Sequence, residues 1–233
     1  MPISREAWVR DKISLAERLA SGQNGRGYAE AMIILSSVVS ALASEMWPDK
    51  GVKGIDQKRY VEAMVLHSDP SLHASRISIP MLLEWLRSRG EPYREALTRI
   101  SRRYLGKFDP TRVLSGDDVD CCDLELASAL PSLEPCKVRK FSYASIFYRE
   151  VRSAYVHQYQ TGERVNTWTL AADTPNVVSY GNWRGGQDKH IHFPVAWQSA
   201  VALSMAKAAD AMSESFPLSV PSRWWLEEDP AHS

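Results

Sequence analysis

An arginine and a histidine lie five positions apart in the stretch REVRSAYVHQY, residues 149–159. Histidine titrates near neutral pH and can give or take a proton, whereas arginine stays charged and can hold phosphate oxygens with two parallel hydrogen bonds. Arg152 and His157 together therefore suit metal-free cleavage of RNA. In that reaction the histidine assists attack by the 2′-hydroxyl or protonates the leaving oxygen, and the arginine stabilises charge on the phosphorus centre.

The spacing of the two side chains limits how they can cooperate. On an ideal helix of about 3.6 residues per turn, Arg152 and His157 point about 140° apart, whereas Arg152 and Tyr159 share a face. The pattern therefore favours a groove, or a seam between two copies of the helix, over a self-contained pair. The plainer alternative is a surface arginine together with a histidine at the edge of the core.

The same stretch resembles the signature of HEPN domains, the higher-eukaryote and prokaryote nucleotide-binding helical bundles. Arg152, Ser153 and His157 match the order of that motif, and Tyr159 matches the last position of a toxin branch with the pattern Arg-x4-His-x-Tyr. The similarity is strongest over 140–160. It extends loosely to the helical pattern of the rest of the chain.

The resemblance implies an antiparallel helical bundle that forms a homodimer, with the motifs of both chains facing one cleft. It implies metal-independent endoribonuclease activity, with Arg152 and His157 as catalytic residues and Ser153 in contact with the substrate. In the toxin branch a partner nucleotidyltransferase antitoxin modifies the tyrosine and blocks the nuclease, which makes Tyr159 the expected modification site. The expected partners are therefore RNA, a second copy and such an antitoxin, in a toxin–antitoxin or phage-defence setting.

Some HEPN proteins act without catalysis. A non-catalytic module that binds a nucleotide or a protein is therefore the alternative function, and a purely structural helical protein is a third. The chain is also longer than a minimal HEPN bundle, so additional N-terminal helices are expected.

Basic residues lead into the motif at Lys137, Arg139, Lys140 and Arg149. An RNA backbone would approach the site over these residues, and we expect Lys140 and Arg149 to contact the substrate. An ordinary solvated helix face is the plainer interpretation of the same charges.

The composition is that of an ordinary globular chain. Its 233 residues are 44% hydrophobic and 24% charged, and the formal net charge is zero. A global electrostatic attraction to nucleic acid is therefore absent, and contact with RNA must come from a local basic surface. The three cysteines do not form a disulfide framework, which agrees with a reducing cytoplasm.

The sequence implies no cofactor and no metal. His190 and His192 alternate as neighbours on one strand face would, but no third ligand is evident in the sequence. The N-terminal residues contain no apolar core of a signal peptide. The longest apolar stretch, 31–43, is short and serine-rich for a membrane span, so we expect a cytoplasmic protein without a membrane anchor.

Hydrophobic periodicity and helix-capping residues, with Ser4 and Ser142 as predicted N-caps, indicate a mainly α chain with one domain over 1–233. Two segments rich in β-branched and aromatic residues, 164–170 and 176–183, predict a small β-hairpin insertion at about 164–184. The sequence HIHF at 190–193 predicts one more short strand. The predicted helices cover 4–20, 28–47, 55–68, a segment from Pro80, a segment from Pro92, 115–130, 141–160 and a segment from Pro194 to about 213.

Overall fold

The computed structural model describes residues 4–21, 27–48, 54–104, 107, 113–131, 133–167, 176–182 and 189–227. The fold is mainly helical with a small three-stranded antiparallel sheet, which confirms the predicted fold class. The elements are α1 (Arg5–Ala20), α2 (Tyr28–Met46), α3 (Ile55–His67), α4 (Ile79–Arg89), α5 (Arg94–Tyr104), β1 (Leu114–Ser115), α6 (Gly116–Val119), α7 (Asp123–Ala129), α8 (Pro135–Arg139), α9 (Tyr143–Ile146), α10 (Ala154–Gln158), β2 (Ser179–Asn182), β3 (Lys189–His192) and α11 (Val195–Ala211).

Helix α2 runs through the core because its sequence is apolar on most sides. It packs against α1, α3 and α11. Of the described helices, α2 is long and apolar enough to cross a membrane by length and composition, but half of the qualifying window is buried inside the protein. The core helix of a globular protein meets the same criterion, so this property is weak evidence for a membrane span.

Serine side chains cap the starts of α1 and α9. Ser4 accepts a hydrogen bond from the Ala7 amide at the start of α1, and Ser142 accepts one from the Ser145 amide at the start of α9. Both caps were predicted from the sequence, since a serine hydroxyl satisfies an amide that the first helical turn leaves free. Pro194 stands at the N-cap of α11, also as predicted.

The sheet differs from the predicted hairpin in its pairing. Strand β2 pairs antiparallel with β3 on one side and with β1 on the other. Val165, in the segment predicted as the first hairpin strand, makes a single parallel bridge to Ile191. Residues 168–175 lie outside the described part of the chain. The β-branched and aromatic composition of 176–183 located β2 correctly, whereas residues 164–167 form no strand. Composition carries little information about which segments pair.

A buried carboxylate joins the sheet to the helices. Asp120 accepts hydrogen bonds at Oδ2 from the hydroxyls of Tyr143 (2.6 Å) and Tyr180 (2.5 Å), and at Oδ1 from the Ile79 amide (2.9 Å). Burial raises the pKa of Asp120 to about 7, although these hydrogen bonds favour the charged form. The network fixes the start of α9 against β2 and α4.

The predicted helix over 115–130 is divided by this carboxylate into α6 and α7. Asp120 ends α6 in an extended conformation, and Cys122 caps α7. Between them, Cys121 pairs with Ile77 in an isolated antiparallel bridge, and Ile77 also pairs with Ser142. The tertiary contacts of 120–122 therefore outweigh the local helical preference.

Candidate functional site

The motif lies on a helix whose middle part is π-helical. This motif helix, residues 143–158, consists of α9, a π-helical segment Phe147–Ser153 and α10. Within the segment, Phe147 and Val151 are fully buried, and the Phe147 ring contacts Phe193 at 5.2 Å. π-Helical turns are rare and frequently mark functional sites. Arg152 and Ser153 lie within this unusual turn, which the sequence pattern did not reveal.

The Arg152 side chain lies in a cleft between α2 and α3. The cleft has a volume of about 270 Å³, slightly below the usual range for small-molecule pockets, so it suits one phosphate group and its immediate substituents. We call it the Arg152 cleft. It is lined by Ser40, Ala41, Ala43, Ser44, Asp56, Arg59, Tyr60 and Arg152.

Two guanidinium groups face this cleft in different electrostatic situations. Arg59 forms an ion pair with Asp56 and donates a hydrogen bond to the Trp47 carbonyl oxygen (3.2 Å). Arg152 instead lies over the ring of Tyr148, 5.2 Å from its centre. Among the described residues Arg152 has no carboxylate partner. Its hydrogen-bond donors therefore remain available for an anionic ligand, and phosphate is the anion that arginine binds with the best geometry.

Two residues that line the cleft carry buried polar atoms without hydrogen-bond partners. The Oγ of Ser40 and the hydroxyl of Tyr60 are both buried, and neither meets a partner in the described part of the protein. Ser36 and Gln198 neighbour the Tyr60 hydroxyl without reaching hydrogen-bond geometry. Buried polar groups in proteins are nearly always paired, so these atoms indicate bound water beside them.

Burial and the nearby arginine act in opposite directions on the Tyr60 hydroxyl. Burial raises the pKa of Tyr60, and the positive charge of Arg152 opposes that rise. Tyr60 therefore stays protonated over the physiological range.

His157 is on the same helix but does not line the Arg152 cleft. It is exposed, and it makes no hydrogen bond, ion pair or ring contact with any described residue. Its neighbours Val156 and Tyr159 are 50% and 61% exposed. Within one chain, Arg152 and His157 thus face different surroundings, as their angular separation predicts.

Tyr159 forms a specific contact at the end of the motif helix. Its backbone is left-handed (φ 54°), and its hydroxyl donates to Oε1 of Glu30 at 2.7 Å. This hydrogen bond raises the pKa of Tyr159 and lowers the pKa of Glu30. The predicted modification site is therefore accessible to solvent, with a carboxylate beside its hydroxyl.

The other predicted substrate-binding residues lie outside the Arg152 cleft. Ser153 is half-buried and does not line it. Arg149 donates to Oε1 of Glu150 (2.6 Å) and to the carbonyl oxygen of Lys140 (3.3 Å). Arg149 and Lys140 therefore lie together on the surface, and Glu150, to which the sequence assigned no role, partly offsets the charge of Arg149.

Two of the basic residues that precede the motif have structural partners. Arg139 forms an ion pair with Asp123 and stacks over the Trp225 ring. Lys137 forms an ion pair with Glu134. Their charges are thus engaged within the protein, as is that of Arg149 with Glu150, and the exposed Lys140 remains the better candidate for contact with RNA.

The pair of alternating histidines belongs to the packing of the sheet. His192 is buried, with Nδ1 2.9 Å from the Asn166 carbonyl oxygen, and its ring stacks on Tyr28 at 5.8 Å. Burial lowers the pKa of His192. In the described ranges, no group of three or more His, Cys, Asp or Glu side chains is placed to hold a metal ion.

No family model matches this chain, and neither a curated protein nor a solved structure matches it at a significant level. The resemblance to HEPN domains therefore depends on the motif residues, and function must be argued from the site. Sequence reasoning missed Asp56, Arg59 and Tyr60, which come from a distant helix. The one local sign is the three-residue spacing of Asp56 and Arg59, which is common on exposed helices.

Proposed function

We propose that this chain is a metal-independent endoribonuclease of HEPN type that acts as a homodimer. The observation that supports it best is the guanidinium of Arg152, which faces a polar cleft without a carboxylate partner in the described part of the chain. A guanidinium whose N–H groups have no carboxylate partner is available to bind an anion. A phosphodiester supplies that anion.

The proposed reaction needs one anchored cation and one proton carrier. Arg152 holds the non-bridging phosphate oxygens. His157 accepts the proton of the 2′-hydroxyl as its oxygen bonds to phosphorus, or it delivers a proton to the 5′-oxygen as the P–O5′ bond breaks. The products are a 2′,3′-cyclic phosphate and a free 5′-hydroxyl, and no serine or cysteine nucleophile is required.

A second copy of the chain is part of this proposal. His157 does not line the cleft of its own chain, while the exposed Val156 and Tyr159 beside it offer apolar surface for a subunit contact. In a two-fold dimer, each motif helix meets the same helix of the partner subunit. His157 of one chain then serves the Arg152 cleft of the other.

The biological setting follows from the resemblance alone. We propose a cytoplasmic toxin or phage-defence nuclease, neutralised by a nucleotidyltransferase antitoxin that modifies Tyr159. The exposed hydroxyl of Tyr159 supports this proposal, since the transferase must reach it. Modification would also replace the hydrogen bond to Glu30 with a bulky anionic group beside a carboxylate.

Purified protein should cut RNA in the presence of EDTA and leave cyclic phosphate ends. Arg152→Ala and His157→Ala should each lower the cleavage rate by about 10²-fold or more, the usual effect of removing an acid–base or charge-stabilising group. Arg10→Ala removes an exposed arginine of α1 and is the matched control. Full cleavage by either motif variant, with the fold verified by circular dichroism, would reject the assignment.

A non-catalytic module that binds a nucleotide is the second candidate function. It is favoured by the position of His157 outside the cleft, while Ser40 and Tyr60 present unpartnered polar atoms inside it. This alternative predicts that calorimetry detects saturable binding of a nucleoside diphosphate and that Arg152→Ala abolishes the binding. It also predicts that the protein does not cleave RNA.

A further inference from the structure

A strongly basic segment stands out in this chain of zero net charge. Between residues 87 and 107 the sequence contains six arginines and one lysine against two glutamates. We propose that the end of α4 together with α5, here called the arginine surface, binds the phosphate backbone of single-stranded RNA outside the Arg152 cleft. This inference rests on the proposed function, because it names a second contact for the same substrate.

The charges of the arginine surface are available to a polyanion. Arg94 and Arg99 form ion pairs with Glu91 and Glu95, but all four side chains are more than half exposed. Exposed ion pairs of this kind contribute little, typically about 0–1 kcal/mol, so phosphates can replace the glutamates.

Other guanidinium groups on this surface have no competing carboxylate. Arg87 and Arg102 are exposed, and neither forms an ion pair with any residue that the structure describes. Arg89 is also exposed and lies over the ring of Trp85, 5.5 Å from its centre. The surface therefore presents arginines whose guanidinium groups can bind a phosphate backbone.

The opposite face of α5 anchors the helix to the core. Ala96 and Ile100 are buried, and Leu97 packs against the same core. Among the described residues of α4 and α5, no large hydrophobic side chain is exposed. A helix that lies on a membrane needs exposed apolar residues to insert, so the surface favours nucleic acid over lipid.

Contacts connect the arginine surface to the motif helix. The Trp85 ring beneath Arg89 contacts Phe141 at 5.5 Å. Phe141 follows Lys140, and the Lys140 carbonyl oxygen accepts a hydrogen bond from Arg149. The arginine surface is thus connected, through Trp85 and Phe141, to the basic residues Lys140 and Arg149.

The chemistry of the charges also points to a phosphate backbone. Six of the seven basic residues are arginines, whose planar guanidinium groups bind phosphate oxygens in pairs. Contacts of this type are independent of base sequence and weaken steeply with salt, because binding releases counterions from the nucleic acid. We therefore expect the arginine surface to determine the affinity for RNA and the Arg152 cleft to determine the rate of cleavage.

Fluorescence anisotropy with a labelled 20-nucleotide RNA at several salt concentrations tests this inference. The double variant Arg87→Gln/Arg102→Gln should bind about tenfold more weakly, and the slope of log K against log salt should fall by about 1.4. Arg10→Gln/Arg18→Gln on α1 makes the same change in net charge and is the matched control. All chains carry His157→Ala so that the probe is not cut.

The outcomes separate the arginine surface from the proposed nuclease. If the test variant binds RNA more weakly and the control variant does not, the inference is supported, whether or not the wild-type protein cuts RNA. Equal binding by the test and control variants would overturn it. Arginine-dependent binding to vesicles of phosphatidylcholine and phosphatidylglycerol, with RNA affinity unchanged, would also overturn it. In an otherwise wild-type chain, the double variant should raise KM about tenfold with kcat retained, whereas Arg152→Ala should lower kcat.

Discussion

The guanidinium of Arg152 lies 5.2 Å from the centre of the Tyr148 ring, and that ring meets the edge of the Tyr60 ring at 5.1 Å. Arg152 is thus oriented by an aromatic stack, with no carboxylate of the described chain neutralising it. A cation–π contact stabilises the position of a guanidinium while leaving its N–H groups free at the edge. This arrangement suits a group that must bind an incoming anion.

Replacing Arg152 with lysine tests whether RNA cleavage needs the planar guanidinium group or only its positive charge. Lysine retains the charge but binds phosphate at a single point. We expect Arg152→Lys to lower RNA cleavage by about 10²-fold, while the free energy of unfolding changes by no more than about 1 kcal/mol. Rates of fluorogenic RNA cleavage and urea denaturation measure the two effects. Arg10→Lys is the matched control, and a fully active Arg152→Lys chain would remove the guanidinium from the mechanism.

Tyr148 should act as a positioning residue for Arg152. Tyr148→Leu removes both ring contacts and should cost about 1–2 kcal/mol of stability. We also expect kcat to fall while KM for RNA changes little, because the guanidinium remains but loses its orientation. Tyr148→Phe keeps the ring and should restore kcat. If both variants lose activity equally, the hydroxyl rather than the stack is responsible.

Asp120 should make stability depend on pH. Its pKa of about 7 in the folded protein lies above the ordinary value of 3.8, so between these values the folded protein binds more protons than the unfolded chain. The contribution of Asp120 to the free energy of unfolding is therefore fully present below about pH 4 and is lost as the pH rises towards 7. Above pH 7, Asp120 causes no further change in stability. The change amounts to at most about 4 kcal/mol.

Urea denaturation of wild-type protein and Asp120→Asn from pH 4 to pH 8 measures this contribution. The stability of the wild type relative to the variant should fall as the pH rises. The half-buried His67 and the buried His192, whose pKa values are lowered, act in the opposite direction, but they are present in both chains and cancel. Asp118→Asn, at an exposed position, should follow the wild type. A pH-independent difference would show that Asp120 stays charged.

The Tyr159 hydroxyl should titrate at a lower pH once its partner is removed. The hydrogen bond to Glu30 raises the pKa of Tyr159, so Glu30→Gln should return that pKa towards its ordinary value. NMR of 13C-labelled tyrosine, assigned with Tyr159→Phe, follows this one ring among nine tyrosines. Glu6→Gln on α1 is the control. An unchanged pKa in Glu30→Gln would mean that the contact does not persist in solution.

Local signals in the sequence predicted much of the fold. Serine caps and the apolar run of α2 located helices correctly, because capping and burial patterns are encoded within a few residues. Ser142 likewise marked the start of the motif helix. The pairing of β2 with β3 and the division of 115–130 by Asp120 were missed, because both depend on partners distant in the chain.

The candidate site was predictable only in part. The motif identified Arg152 and His157, and the ideal-helix angle indicated correctly that one chain would not bring them to the same face. The cleft itself was not predictable, since Arg59 and Tyr60 come from α3 and no periodicity links that helix to residue 152. The π-helical turn was missed because its buried residues, Phe147 and Val151, have the four-residue spacing that an ordinary α-helix also shows.

The most direct test mixes two inactive chains. Arg152→Ala and His157→Ala proteins are combined in equal amounts, unfolded and refolded together, and assayed for RNA cleavage in EDTA, with each refolded alone as the control. If Arg152 of one chain works with His157 of the partner, the mixed dimer contains one intact site, and about a quarter of wild-type activity should return. A mixture as inactive as its components, beside an active wild type that was refolded in the same way, would contradict a site shared between subunits.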